Sequence, residues 1–285
     1  METINMDYLA TWVGKERTDV DNISLRHATL MAATVNCPNS DFLCEGGKLP
    51  PLWHWTYFLE GQPTAQLGSD GHPSRGGFLP PVPLSNRMWA GGRVTFLAPV
   101  FIGATIQKTS RILNIEHKQG RSGDLVFVTI LHELQSMEGE LLISEEQDLV
   151  YKGPSPAHQA AIPASDSPAS QFLRTFIPTS TMLFRYSALT FNGHRIHYDA
   201  DYCRETEGYA NLVVHGPLTA TMLAAYAEEI NGRHLRGFNY RGLAPALLGN
   251  SLTLHGNVQR DTGILFATLG NNVDCMRAEA VFKFK

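Results

Sequence analysis

The residues from Phe191 to Pro217 carry most of what this sequence says about chemistry. A polar knot, Asn192-Gly193-His194-Arg195-Ile196-His197-Tyr198-Asp199, follows an apolar run. A second apolar run, Leu212 to Val214, ends at His215-Gly216-Pro217. Polar groups set between apolar elements are costly unless they are satisfied or used. Gly-Pro after a buried strand marks a helix start, whose first N–H groups have no partner inside the helix. An imidazole with a pKa near 6.5 can be base and acid in turn near neutral pH. The combination reads as a base and an oxyanion-type donor facing one small substrate. Each residue also has a plainer reading. His197 alone could be a satisfied core histidine, Asn192 a turn residue, Gly216 a steric glycine and His215 a packing residue at a strand end. His194, His197 and Asp199 could be metal ligands, but His-x-x-His is short and no third strong ligand follows at a familiar spacing, so no metal is expected.

The elements that must position these residues repeat once along the chain. Ala98-Pro99-Val100-Phe101-Ile102-Gly103 matches Ala244-Pro245-Ala246-Leu247-Leu248-Gly249, each before a strand-like segment (104 to 112 and 250 to 258). Phe127-Val128-Thr129 echoes Phe266-Ala267-Thr268, and Val150-Tyr151-Lys152 echoes Val281-Phe282-Lys283. Each half opens with a helical signal and continues in β-rich segments separated by Gly, Asn and Asp. In the first half the helix is Ser24 to Val35. In the second it is Pro217 to Ile230, kept slim by Ala220, Ala224, Ala225 and Ala227 and closed by Asn231-Gly232. Residues 50 to 92, rich in Pro, Gly and Trp, read as irregular structure or a strained helix. There Trp53, Trp55 and Tyr57 read as core or as the wall of a pocket. Residues 153 to 170 have the composition of a linker. We therefore expect an amino-terminal unit over 1–152, a linker over 153–170 and a carboxy-terminal, catalytic unit over 171–285.

Bulk properties exclude several classes. Net charge is −4 with no basic block, which argues against nucleic acid. No apolar run approaches the roughly 20 residues of a membrane span. The acidic start, Met-Glu-Thr-Ile-Asn-Met-Asp, lacks the pattern of a secretion signal. The four cysteines are scattered and read as reduced thiols, so a cytoplasmic protein is expected.

Phe191 to Asp199 followed by Val214-His215-Gly216-Pro217-Leu218 resembles the MaoC-type acyl-thioester hydratases and dehydratases. Within them it most resembles the branch of 3-hydroxyacyl-thioester dehydratase type 2, mesaconyl-C4-CoA hydratase and itaconyl-CoA hydratase. Arg87-Met88-Trp89-Ala90-Gly91-Gly92-Arg93 resembles that branch too. The resemblance implies an α+β double hotdog, two antiparallel sheets each wrapping a central helix. It also implies water addition to a short dicarboxylic enoyl-CoA, with no cofactor beyond the CoA of the substrate and with a homo-oligomer, a dimer, as the assembly. The family pattern carries Asp five residues before the His; here Asn192 stands in that place, and Asn cannot take a proton. Proton transfer then falls to His197, with Asn192 orienting water or substrate and the Gly216 N–H polarising the thioester carbonyl. His194 and His215 are expected to contact substrate. Arg87 and Arg93 are the candidates for its carboxylate or a CoA phosphate. The alternatives are a fatty-acyl dehydratase, an acyl-CoA thioesterase or a non-catalytic acyl-binding protein. Residues 217 to 227 offer no carboxylate, which counts against the thioesterase.

Overall fold

A computed structural model describes residues 4–37, 40–120, 123–153 and 169–283. Among the described residues ten antiparallel strands form one continuous sheet. They are β1 (Glu16–Asn22), β2 (Asn86–Phe96), β3 (Thr105–Gly120), β4 (Gly123–Ser136), β5 (Leu141–Lys152), β6 (Phe172–Phe176), β7 (Leu235–Gly242), β8 (Leu252–Val258), β9 (Thr262–Leu269) and β10 (Asp274–Phe282). Their order across the sheet is β1-β3-β4-β5-β2-β7-β10-β9-β8-β6, so each half repeats the same path and the halves join edge to edge through β2 and β7. This is a double hotdog with its two sheets fused. The sequence placed residues 86 to 92 in irregular structure, but they belong to β2. Gly91 and Gly92 serve the seam rather than a ligand: a methyl on Gly91 would meet the Tyr240 carbonyl at 2.5 Å, and one on Gly92 the Tyr240 hydroxyl at 2.7 Å.

The repeat is real, and its closest match is in register. Lys48 bridges to Phe101 as Val213 bridges to Leu247. The flanking hydrogen bonds coincide as well: Leu49 N–H donates to Val100 and Val214 N–H to Ala246, each at 2.8 Å. The other two sequence echoes lie on corresponding strands but out of register. Phe127 faces Val150, whereas Phe266 faces Arg277 and Val281 faces Thr262. Similar residues recur there because strands reuse them. Leu212 to Val214 forms this single bridge, not a strand.

The halves differ in their helices. α1 (Met6–Ala10) is one short turn near the start of the chain. α2 (Leu25–Val35) starts at the Ser24 cap, whose side chain accepts the His27 N–H, and stops at Asn36 with φ 51°. α3 (Ser180–Leu189), which the sequence reading did not resolve as a helix, is capped by Thr179 and buries Met182, Leu183, Tyr186 and Leu189. It occupies the place in the second half that α2 takes in the first, and the two pack together. α4 (Ala200–Tyr202) is a single turn leading into a π-turn at Cys203–Glu207. α5 (Gly216–Asn231) is the central helix; it packs on β7, β8, β9 and β10 and ends at Gly232 with φ 71°. Its alanines let the sheet close around it, and Ala220, Ala224 and Ala227 are fully buried. Among the described residues the first half has no such helix. At the corresponding point stand Pro50-Pro51, then Leu52 at φ 67° and a 3₁₀ turn, Trp53–Thr56. A left-handed residue after two prolines prevents helix propagation.

β5 ends at Lys152 and β6 begins at Phe172. Most of the expected linker lies outside the described residues. Among the described residues no helix is long and apolar enough to cross a membrane.

Candidate active site

A cavity of about 1340 Å³ runs between the halves. Asn192, His194, His197, His215 and Gly216 all line it, with Arg87 from the first half. The polar knot hangs from the end of α3: Phe191 takes φ 48°, Asn192 N–H donates to Ser187 O at 2.8 Å, and a 3₁₀ turn carries Arg195 to His197.

His197 is 7% exposed, and its Nδ1 lies 2.7 Å from Val213 O. A carbonyl only accepts, so Nδ1 carries the hydrogen and Nε2 keeps its lone pair. Burial is the main cause that lowers its pKa to about 4, with the His72 charge adding to it and the Val213 carbonyl opposing it. The ring is therefore a neutral base at pH 7. His215 stacks on it, with centroids 3.6 Å apart and planes 18° apart. His215 Nε2 pairs with Ser187 Oγ at 2.9 Å, and burial pushes its pKa well down. The stack places His197 beside the start of α5. At Gly216 an added methyl meets nothing within 4 Å, so the protein itself does not require a glycine there. What a side chain would occupy is cavity, next to the unpaired N–H groups and the positive end of α5.

Asn192 Oδ1 accepts the His194 N–H at 3.0 Å, so its oxygen closes a turn. Its amide nitrogen has no hydrogen-bond partner among the described residues and can donate into the cavity. His194 lies edge-on to His197 with centroids 5.6 Å apart, and burial is the largest cause lowering its pKa to about 2.

The structure separates the two arginines. Arg87 lines the cavity and sits opposite Tyr151 on β5. Among the described residues it makes no ion pair, and its charge depresses the pKa of His72 and His194. Arg93 is not in the cavity. It points to the outer face, where it holds Glu146 and Asp148, each at 2.7 Å. The structure does not bring Arg93 to the cavity: residues 87 and 93 are six apart and would share a face of a regular strand, but the bulge between Trp89 and Gly91 switches the faces of β2, and the guanidinium is already paired.

Sequence reasoning missed Asp70 and His72. Both lie in the stretch set aside as irregular, yet His72 Nδ1 is 3.1 Å from Asp70 Oδ2 and its ring is 4.2 Å from that of His194. An Asp-Gly-His turn inside a Gly-rich segment was the available signal. Ligand atoms of Asp70, His72 and His194 lie within 4.8 Å of one another. Two of them already bond to each other, which explains the grouping without an ion.

A second polar group lies on the open first-half face. His132 joins Ser110 Oγ (2.7 Å) and Gln147 Oε1 (2.8 Å), while Glu145 accepts from His54 (2.8 Å) and Trp55 (2.9 Å). Glu145 is 2% exposed. Burial works to raise its pKa, but the bond and charge of His54 outweigh it and hold the carboxyl below its usual range.

The model of the family "Hydroxyacyl-thioester dehydratase type 2" matches residues 52–248, more than half of the sequence. The chain belongs to the hydroxyacyl-thioester dehydratase type 2 family. It is 45% identical over 240 residues to mesaconyl-C(4)-CoA hydratase of Chloroflexus aurantiacus, covering 84% of this chain and 85% of that one. It is 29% identical over 234 residues to the mitochondrial hydroxyacyl-thioester dehydratase type 2 of Schizosaccharomyces pombe, covering 73% and 77%. Among solved structures, a MaoC-like dehydratase from Phytophthora capsici superposes with a TM-score of 0.71 over 99% of this chain and all of that one, at 14% identity. A double-hotdog protein of Mycobacterium tuberculosis gives 0.60 over 94% and 96%, at 11% identity. At such identities these neighbours establish the fold of this member of the dehydratase type 2 family, and nothing more.

Proposed function

We propose that the protein adds water across the double bond of a short dicarboxylic enoyl-CoA such as mesaconyl-CoA or itaconyl-CoA, reversibly with dehydration of the 3-hydroxyacyl-CoA. The relationship to a mesaconyl-C(4)-CoA hydratase supports this substrate class. The observation that carries the reaction is a buried imidazole with a lone pair on Nε2, stacked one residue from the amino end of α5 in a single cavity.

The chemistry follows from these groups. His197 Nε2 removes a proton from water while the water oxygen bonds Cβ. The double-bond pair moves through Cα onto the thioester oxygen. The Gly216 N–H and the α5 dipole stabilise that oxyanion; one such donor is worth about 3–4 kcal/mol of transition-state stabilisation. A proton then reaches Cα and the carbonyl reforms. The amide nitrogen of Asn192 holds water or the acyl group. Proton transfer of this kind needs no cofactor, and CoA enters as part of the substrate. Arg87 meets the distal carboxylate, whose unpaired burial would be expensive.

The thioesterase reading loses its last candidates. Glu228 accepts the Leu235 N–H at 2.7 Å at the far end of α5, and Glu229 is paired with Arg174. A second reading, dehydration of longer 3-hydroxyacyl thioesters, draws on the unfilled first-half face. The discriminating experiment follows absorbance of the conjugated thioester with crotonyl-, mesaconyl- and itaconyl-CoA. Preference for the dicarboxylates supports the first reading, and preference for crotonyl-CoA or longer chains supports the second. Release of free thiol, or no reaction at all, rejects both.

A further inference from the structure

Asn192 cannot accept a proton, and Asp199 is bound to Arg195 at 2.7 Å. The carboxylate whose charge reaches the histidine cluster comes instead from the other half of the chain. A tight turn, with Gly71 N–H donating to Gly68 O and Gly68 N–H to His72 O, docks onto the catalytic knot. Arg195 N–H donates to Asp70 O at 2.9 Å and its guanidinium to Ser69 O at 3.1 Å. Two glycines permit the approach. A methyl on Gly71 (φ 85°) would lie 1.9 Å from Gly193 O, and one on Gly193 2.6 Å from Gly71 O. The docked turn delivers Asp70 Oδ2 to His72 Nδ1 and lays the His72 ring against His194.

We propose that Asp70, acting through His72, is the positioning carboxylate of this active site, supplied by the amino-terminal half in place of the one absent at Asn192. The ionised carboxylate fixes the hydrogen on His72 Nδ1, leaving the Nε2 lone pair turned from Asp70 and free for the cluster. When His197 takes a proton from water, positive charge appears among His72, His194 and His197. Asp70 offsets that charge until the same proton leaves for Cα, so no proton is gained or lost over the cycle. Asp70 itself stays ionised: burial works to raise its pKa, but the bond and charge of His72 hold it well below the usual carboxylate range. The groups facing His72 are Asp70, Arg75, Arg87, His194 and His197. Arg75 is held by the carbonyls of Val82, Leu84 and Ser85, and Arg87 is the second guanidinium of the group. Asp70 is therefore the negative member of the group.

This proposal rests on the hydratase reading, and the test separates the two. Wild type inactive on crotonyl-, mesaconyl- and itaconyl-CoA rejects the hydratase. With active wild type, Asp70→Asn is the probe. It keeps the Oδ1 that accepts the His72 N–H at 3.0 Å, so the turn survives, while the charge and the Oδ2 acceptor of His72 Nδ1 are lost. The expected result is a kcat about a hundredfold lower, within the range of acid–base assistance, with KM within about twofold. The acid limb of kcat/KM moves to lower pH, because histidines without a neighbouring negative charge are less basic. His72→Phe, which keeps a ring but no nitrogen, should match it. Adding Asn192→Asp to Asp70→Asn should recover about tenfold or more by restoring a carboxylate on the other side of the cluster. Unchanged kcat in Asp70→Asn overturns the proposal. So does a loss that Asn192→Asp does not rescue and that leaves the pH profile in place, since that is the signature of a turn broken rather than a charge removed.

Discussion

The two halves carry the same strands in the same order and differ in what lies on them. Ser110, His132 and Glu145 face one another across β3, β4 and β5. At the matching positions of β8, β9 and β10 stand Gly256, Leu265 and Ala278, in the same register. α5 presses so closely on the second set that a methyl on Gly256 would lie 2.3 Å from Ile230 Cδ1. Where the helix is present, the face must be small and apolar. Where Pro50-Pro51-Leu52 replaces it, the face stays open to the cavity, and its polar residues persist by satisfying each other. One half is a scaffold around a helix whose first turn faces the cavity; the other is an open wall of the same cavity.

The largest effect should separate these roles. His197→Ala should lower kcat by about 10²–10⁴-fold with the fold retained. His132→Leu, which gives the first half the residue found at the matching place in the second, should act mainly on KM. Circular dichroism and steady-state kinetics on both variants check this. A kcat loss in His132→Leu as deep as that of His197→Ala would end the division of labour.

Acid should weaken both halves together. Burial is the leading cause that lowers His197 and His132, one in each half, to about 4. Between the ordinary value near 6.5 and about 4, the unfolded chain binds protons that the folded chain refuses. Stability is therefore full above pH 6.5 and falls as pH drops toward 4, by about 3 kcal/mol for each histidine. Urea unfolding at pH 7.5, 5.5 and 4.5 measures it. A flat profile would mean these imidazoles are not held neutral.

A pair of alanines tests the matched row directly. Gly256→Ala should cost about 1–3 kcal/mol by overpacking α5, and Ile230→Val should recover part of it. Ser110→Ala at the matching position meets no helix and should cost about 1 kcal/mol, the worth of its bond to His132. Equal costs would show that the first-half face is as tightly filled as the second.

Much of this architecture could be read from residue patterns. Ala98 to Gly103 and Ala244 to Gly249 marked the repeat, because a turn between strands constrains its prolines and glycines. His197, Asn192 and Gly216 were visible because polar groups beside a Gly-Pro helix start are conspicuous. The missing first-half helix was not visible, since α2 supplied the helical periodicity that a central helix would have shown. Arg93 was misplaced because a Gly-Gly pair signals a turn as readily as the seam it makes with Tyr240. Asp70 and His72 escaped because their meaning depends on a contact with residue 193, far along the chain, which no local pattern encodes.

The smallest effects concern the two arginines of β2, which face opposite sides of one strand. Arg93 is half-exposed and balanced by Glu146 and Asp148. Removing it should cost at most about 1 kcal/mol of stability and leave kcat/KM unchanged on every substrate. Arg87 lines the cavity without an ion pair among the described residues, so its charge is available to a ligand. Arg87→Ala should lower kcat/KM on itaconyl-CoA or mesaconyl-CoA by about 2 kcal/mol more than on crotonyl-CoA, which lacks the second carboxylate. Arg87→Lys should recover little of that loss if the contact is bidentate, because an ammonium cannot present two parallel donors. Equal losses on all three thioesters would assign Arg87 to the CoA moiety common to them. A selective loss in Arg93→Ala would place a ligand on the outer face and undo the contrast between the two sides of β2.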